Sequence, residues 1–146
     1  MTPVIVCGLA VLLLLLAERR DHRLGRGVAK LVASTAFVWA ALAWGASETA
    51  YGWWVLLGLL CCWAGDALLL SPGRSGAFQG GIAAFLLGHL AYAAACLQLG
   101  FDLVWLLLTA PCAAVFAAGV GRWLRPHVPA DFVGPVAGYV VTISAM

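Results

Sequence analysis

Charge is what this sequence has least of. Of its 146 residues only 10% are Asp, Glu, Lys or Arg, against 64% hydrophobic, and the mean hydropathy is +1.03. A soluble domain carries roughly 25% charged residues. So few charges cannot cover a water-facing surface, and the surplus apolar area calls for lipid as solvent. Long polar segments are missing too. No repeat, low-complexity stretch or soluble domain is visible, and the connections are too short to house a water-soluble active site. Any chemistry must use residues within the apolar runs or at their edges.

Other absences narrow the reading further. The five cysteines, Cys7, Cys61, Cys62, Cys96 and Cys112, all lie in apolar runs. They form no C-x-x-C pair and share no zinc spacing with a histidine, so they read as small hydrophobes rather than as disulfides or metal ligands. There is no Gly-x-Ser-x-Gly elbow, H-E-x-x-H, Walker loop or Rossmann fingerprint. No metal or cofactor is therefore expected. The basic loops carry no interleaved aromatics, which argues against a nucleic-acid partner. No Lys or Arg precedes the first apolar run, and Arg19, Arg20 and Arg23 follow it. That reverses the charge order of a signal peptide and predicts a retained first helix.

What is there is a series of apolar runs, over residues 2–17, 31–46, 51–70, 80–99, 103–121 and 132–146. A helix needs roughly 20 such residues to span hydrocarbon, with a range of about 17–25. The expected fold is all-α: a single transmembrane domain over residues 1–146, a polytopic bundle of about six spans. Charge placement supports the count. The eight basic residues are Arg19, Arg20, Arg23, Arg26 and Lys30, then Arg74, then Arg122 and Arg125. They occupy the first, third and fifth connections, while the second and fourth carry only Glu48 and Asp102. Lys and Arg favour the cytoplasmic side. The expectation is a cell (inner) membrane with the N-terminus outside. The tryptophans Trp44, Trp53, Trp54, Trp105 and Trp123 sit near span boundaries, as in an aromatic belt. Gly134 and Gly138, four apart on the last run, suit close helix packing. That run reaches Met146 with no cap or basic flank, which sets the expectation of an incomplete chain or of a partner, in an oligomer, that completes the bundle.

Ionisable groups at membrane depth cost roughly 2.5–3.5 kcal/mol on insertion scales and are functional candidates by default. Asp66, in Gly65-Asp66-Ala67-Leu68, lies four residues before Leu70, roughly 6 Å inside the boundary at 1.5 Å per residue. Loss of water favours the neutral form of a carboxyl, so the position suits a proton donor. The structural alternative is a carboxylate paired with Arg74, Lys30 or a neighbouring helix end. His89 lies in the middle of the fourth run, with Tyr92 three residues on, and Phe85 and Ile82 continuing the same face. It reads equally well as a proton shuttle or as a polar contact between helices. Glu18 and Lys30 flank the first basic loop and can snorkel to the boundary.

Together these residues have a familiar order. Gly65-Asp66-Ala67-Leu68-Leu69-Leu70, a short turn with Phe78, and Gly81-Ile82-Ala83-Ala84-Phe85-Leu86-Leu87-Gly88-His89-Leu90-Ala91-Tyr92 resemble the YhhN family of membrane proteins. The family carries a Gly-Asp pair ending one helix and an Ala-Phe, His and Tyr pattern in the next. Lys30 resembles its lysine at the start of the second helix, although Leu31 stands where the family often has proline. Tyr139-Val140-Val141-Thr142-Ile143-Ser144-Ala145-Met146 resembles its sixth helix. The resemblance implies a bundle of about eight helices and a lysoplasmalogenase activity, which cleaves the vinyl-ether bond of a lysophospholipid to a fatty aldehyde and a glycerophospho-head group. It also implies a second aspartate in later helices, which this chain lacks.

Vinyl-ether hydrolysis needs a proton donor, a base or carboxylate near the cation, and water. On this reading Asp66 is an acid/base carboxyl, with His89 and Tyr92 shaping the catalytic pocket and Phe85 beside the lipid tail. Lys30, Arg74 or the Arg19–Arg26 cluster would bind the phosphate. Two other classes fit the composition. One is a small proton-coupled transporter, and the other a non-catalytic membrane subunit.

Overall fold

The computed structural model describes residues 1–71, 75–100, 102–129 and 132–145. The described residues form six α-helices: α1 (Thr2–Arg19), α2 (Arg23–Ala43), α3 (Ala50–Leu69), α4 (Ser75–Gln98), α5 (Leu103–Leu124) and α6 (Val133–Ala145). Short 3₁₀ turns at Ala46–Glu48 and Arg125–His127 precede α3 and follow α5. Five of the helices are long and apolar enough to cross a membrane, and α6 is a shorter apolar helix. The protein is an all-α, multi-pass membrane bundle.

Local chemistry places the helix ends. Pro3 sits in the first turn of α1, where its missing N–H costs nothing. His22 caps α2 by accepting from the Gly25 N–H, Thr49 caps α3 by accepting from Gly52, and Asp102 caps α5 by accepting from Val104 and Trp105. Each satisfies donors that a helix start leaves open. Gly45 follows α2 with φ 78°, a left-handed conformation that glycine adopts without strain.

Two helices run beyond their apolar spans. α2 begins at Arg23 rather than Leu31, so Lys30 lies two turns inside a helix instead of at its start. α4 begins at Ser75 rather than Gly80. Hydropathy marks where lipid begins, whereas Arg and Lys are good helix formers and extend the helix into the polar boundary.

Neighbours in sequence pack as neighbours in space from α1 through α4, and α6 then packs on both α4 and α5. An edge-to-face contact of Phe78 and Phe132, with ring centroids 5.7 Å apart, ties the starts of α4 and α6. The buried apolar residues are mostly small: Ala10, Ala29, Ala33, Ala36, Ala40, Ala91 and Ala95, with Leu56 the one large exception. Large side chains such as Leu13, Trp53, Leu107 and Phe116 point outward. This is the distribution expected where lipid solvates Leu as well as a protein core does, and close backbone approach holds the helices together. Four hydroxyls in the spans bond within their own helix: Thr35, Thr109, Thr142 and Ser144 each donate to the carbonyl four residues back.

The closest approach is between α3 and α4, across two glycine pairs spaced seven apart. A Cβ at Gly88 would stand 3.0 Å from the Gly58 carbonyl oxygen and 2.8 Å from Cys62 Sγ. One at Gly65 would stand 3.2 Å from the Gly81 carbonyl oxygen and 2.8 Å from the Phe85 ring. Gly134 and Gly138, by contrast, have no atom within 4 Å of a Cβ built on them among the described residues. The expected packing motif on α6 is therefore unused here, and α3–α4 carries the glycine-mediated contact instead.

Candidate functional site at the α2–α3–α4 junction

α2 and α3 are antiparallel, which brings the first third of α2 level with the last turns of α3. Lys30 and Ser34, one turn apart, share the α2 face that meets Asp66. Lys30 Nζ lies 2.9 Å from Asp66 Oδ1, and the Ser34 hydroxyl donates to Oδ2. Both carboxylate oxygens accept, which is the bonding pattern of an ionised carboxylate. The Asp66 side chain is 15% exposed and that of Lys30 36%. One turn up α3, Trp63 Nε1 donates to Thr35 Oγ1 at 3.1 Å. The two bonds together pin the α2–α3 register.

Among the described residues, Asp66 is paired with Lys30. Arg74 lies outside the described residues. In the basic loop, Arg26 pairs with Glu18 at 3.0 Å and Asp21 at 3.4 Å, so Glu18 serves Arg26 there. Lys30→Met is expected to lower stability by about 1–2 kcal/mol, less than the roughly 3–5 of a fully buried pair, because Lys30 is partly exposed. Lys30→Met/Asp66→Leu should recover most of that loss, since an apolar pair needs no desolvation. Thermal unfolding in detergent reads both. A double variant no more stable than the single one would refute the account.

A second polar group lies across α3–α4. Phe85 packs on Gly65, beside Asp66. His89 Nδ1 is 2.7 Å from the Phe85 carbonyl oxygen. A carbonyl only accepts, which assigns the proton to Nδ1 and leaves Nε2 as an acceptor. The imidazole stands edge-on to Tyr92 (centroids 6.0 Å, 79°) and to Tyr139 of α6 (5.0 Å, 76°). The Tyr92 hydroxyl points at Cys62 Sγ, 3.8 Å away, and its ring lies on Gly58. Next to this cluster, Ile82, Phe85, Val136 and Tyr139 line an apolar cavity of about 240 Å³.

The sequence-expected residues thus fall into two adjoining groups. Asp66 and Lys30 form one. His89, Tyr92 and Phe85 form the other, and the Gly65–Phe85 contact links them. Three partners were not expected: Ser34, Tyr139 and Cys62. Ser34 was open to inference, standing four residues after Lys30 on the same helical face. Tyr139 and Cys62 needed the helix pairing. The arrangement offers a carboxylate with an ammonium and a hydroxyl on it, an imidazole with a free acceptor nitrogen, and an apolar cavity beside them.

The fold defines a polytopic helical membrane protein with an ion pair between two of its apolar helices. The comparisons are narrower. Residues 25–146 match the YhhN family, and the chain belongs to that family. Two curated relatives, from Mycobacterium bovis (strain ATCC BAA-935 / AF2122/97) and Mycobacterium tuberculosis (strain CDC 1551 / Oshkosh), are each named lysoplasmalogenase. Each is 36% identical over 99 residues, covering 64% of this chain and 37% of the relative. The match therefore spans little more than a third of the relatives' length. No solved structure matches the chain.

Proposed function

We propose that this chain is a lysoplasmalogenase-like hydrolase, acting on the vinyl-ether bond of a lysophospholipid in a cell (inner) membrane, with its basic connections on the cytoplasmic side. The carrying observation is the Asp66 carboxylate, embedded between apolar helices with Lys30 and Ser34 on its two oxygens. It lies within the family match, and Phe85, which packs on the neighbouring Gly65, lines an apolar cavity. The relatives' name supplies the reaction class.

The paired Asp66 carboxylate first takes up a proton from water at the polar boundary, and the chemistry starts with transfer of that proton from the Asp66 carboxyl to the enol carbon. The C=C π electrons form the new C–H bond, and the ether oxygen becomes an oxocarbenium ion. Lys30 and Ser34 stabilise the carboxylate left behind, by charge and by hydrogen bonding to the ionised form. Water then adds to the cationic carbon and gives a proton back to Asp66. The hemiacetal collapses, its C–O bond breaks, and a fatty aldehyde and the glycerophospho-alcohol leave. One water is consumed and the carboxyl is restored. His89 and Tyr92 shape the pocket. The tail lies against Phe85 and Tyr139. The phosphate lies toward the basic boundary, where Lys30 and Arg74 would meet it.

The test is aldehyde release by the purified chain. A lysoplasmalogen should yield aldehyde, and the saturated 1-alkyl analogue, which has no enol carbon to protonate, should yield none. A folded chain that releases no aldehyde from the vinyl ether overturns the reading.

A further inference from the structure

A second site lies away from Asp66. A groove of about 700 Å³ runs along α1 and α2. Leu9, Leu13 and Leu16 of α1 and Val28 and Val32 of α2 line its length, and all five are exposed. At the α1–α2 connection the groove ends in polar side chains, Arg20 and His22. We propose that this groove binds a phospholipid of net negative charge, one acyl chain lying between α1 and α2 and the phosphate held by Arg20 and His22.

Charge at that end favours an anion. The connection carries Arg19, Arg20, Arg23 and Arg26 against Glu18 and Asp21, and both acids pair with Arg26. Arg20 makes no ion pair among the described residues. His22 contributes a donor of fixed position. Its Nδ1 accepts from the Gly25 N–H at 2.9 Å, so the neutral ring carries its proton on Nε2 and that N–H is free to donate. Basic groups at the boundary between membrane helices favour anionic head groups.

The walls select the rest of the ligand. An acyl chain has no polar group to satisfy, whereas an extended peptide would leave backbone N–H and C=O groups unpaired against leucine and valine. Free phosphate would use the arginine and leave the trough empty. The α1 wall also precedes the family match, which starts at residue 25, so the inference does not rest on the hydrolase reading.

Native mass spectrometry of the full chain, released from neutral detergent with equimolar phosphatidylglycerol and phosphatidylcholine, tests it. One bound phosphatidylglycerol is expected, preferred about fivefold, as one boundary cation at about 1 kcal/mol would give. Arg20→Gln/His22→Asn should reduce that preference to near parity, with Asn keeping the helix cap. Val28→Trp, filling the groove from an exposed position, should displace both lipids. Arg122→Gln/Arg125→Gln, removing charge at α5, should leave the preference unchanged. Circular dichroism establishes that each variant is folded. Equal binding of the two lipids overturns the proposal. So does an unchanged preference in the Arg20/His22 variant, an equal loss in the α5 variant, or retention of inorganic phosphate as readily as lipid.

Discussion

Asp66→Asn is expected to abolish measurable aldehyde release, a loss of about 10²–10⁴-fold if the carboxyl supplies general acid–base catalysis. The amide keeps the shape of the carboxyl, and its one oxygen can still accept from Lys30 while its NH2 donates to the Ser34 hydroxyl, but it cannot hold and return a proton at neutral pH. The fold should tolerate the change. Lys30 is left with a neutral partner, yet its side chain is partly exposed and can reach toward the polar boundary. The informative measurement is therefore turnover beside a folding control, such as helical content and elution volume in detergent. Wild-type turnover by a folded Asp66→Asn protein would remove Asp66 from the chemistry. Ser34→Ala, which removes one donor to the carboxylate, should give a smaller loss of turnover.

The second large effect is expected far from any ionisable group. A methyl group at Gly58 would overlap the Tyr92 ring. Gly58→Ala should cost about 1–3 kcal/mol, the range for overpacking a well-filled site, despite alanine's better helix propensity of roughly 1 kcal/mol. The clash is relieved if the ring is removed, so Gly58→Ala/Tyr92→Ala should be more stable than the sum of the single effects predicts. Contacting residues of this kind couple by about 0.5–3 kcal/mol. Thermal unfolding of the four proteins closes the cycle, and additivity within roughly 0.5 kcal/mol would show that α3 and α4 do not meet at this point. Gly65, whose added Cβ would meet Phe85 at 2.8 Å, should behave alike. There the loss would also reach the candidate site, because Asp66 is the next residue.

Both expectations touch residues that differ in how readable they are from the chain. Asp66 stands out in an apolar run because a charge in hydrocarbon is costly wherever it is met, and His89 does for the same reason. Gly58 and Gly65 do not stand out, since glycine is common in membrane helices. The more conspicuous pair, Gly134 and Gly138, packs against nothing among the described residues. Lys30 was legible as a boundary residue but not as the partner of Asp66. Its charge was visible, while its depth depended on α2 starting at Arg23.

By itself the sequence determined that this protein is a multi-pass bundle of apolar helices with basic connections alternating along it, and that Asp66 and His89 are its exceptional groups. Those conclusions need only transfer free energies, which each residue carries with it. The tertiary structure alone decided that Lys30 and Ser34 hold Asp66, that Tyr139 of α6 closes on His89, and that α3 meets α4 through glycines. Helices solvated by lipid on every side have no apolar stripe to declare which face turns inward. The choice of partner comes from shape and close approach, which emerge only when two helices are set against each other.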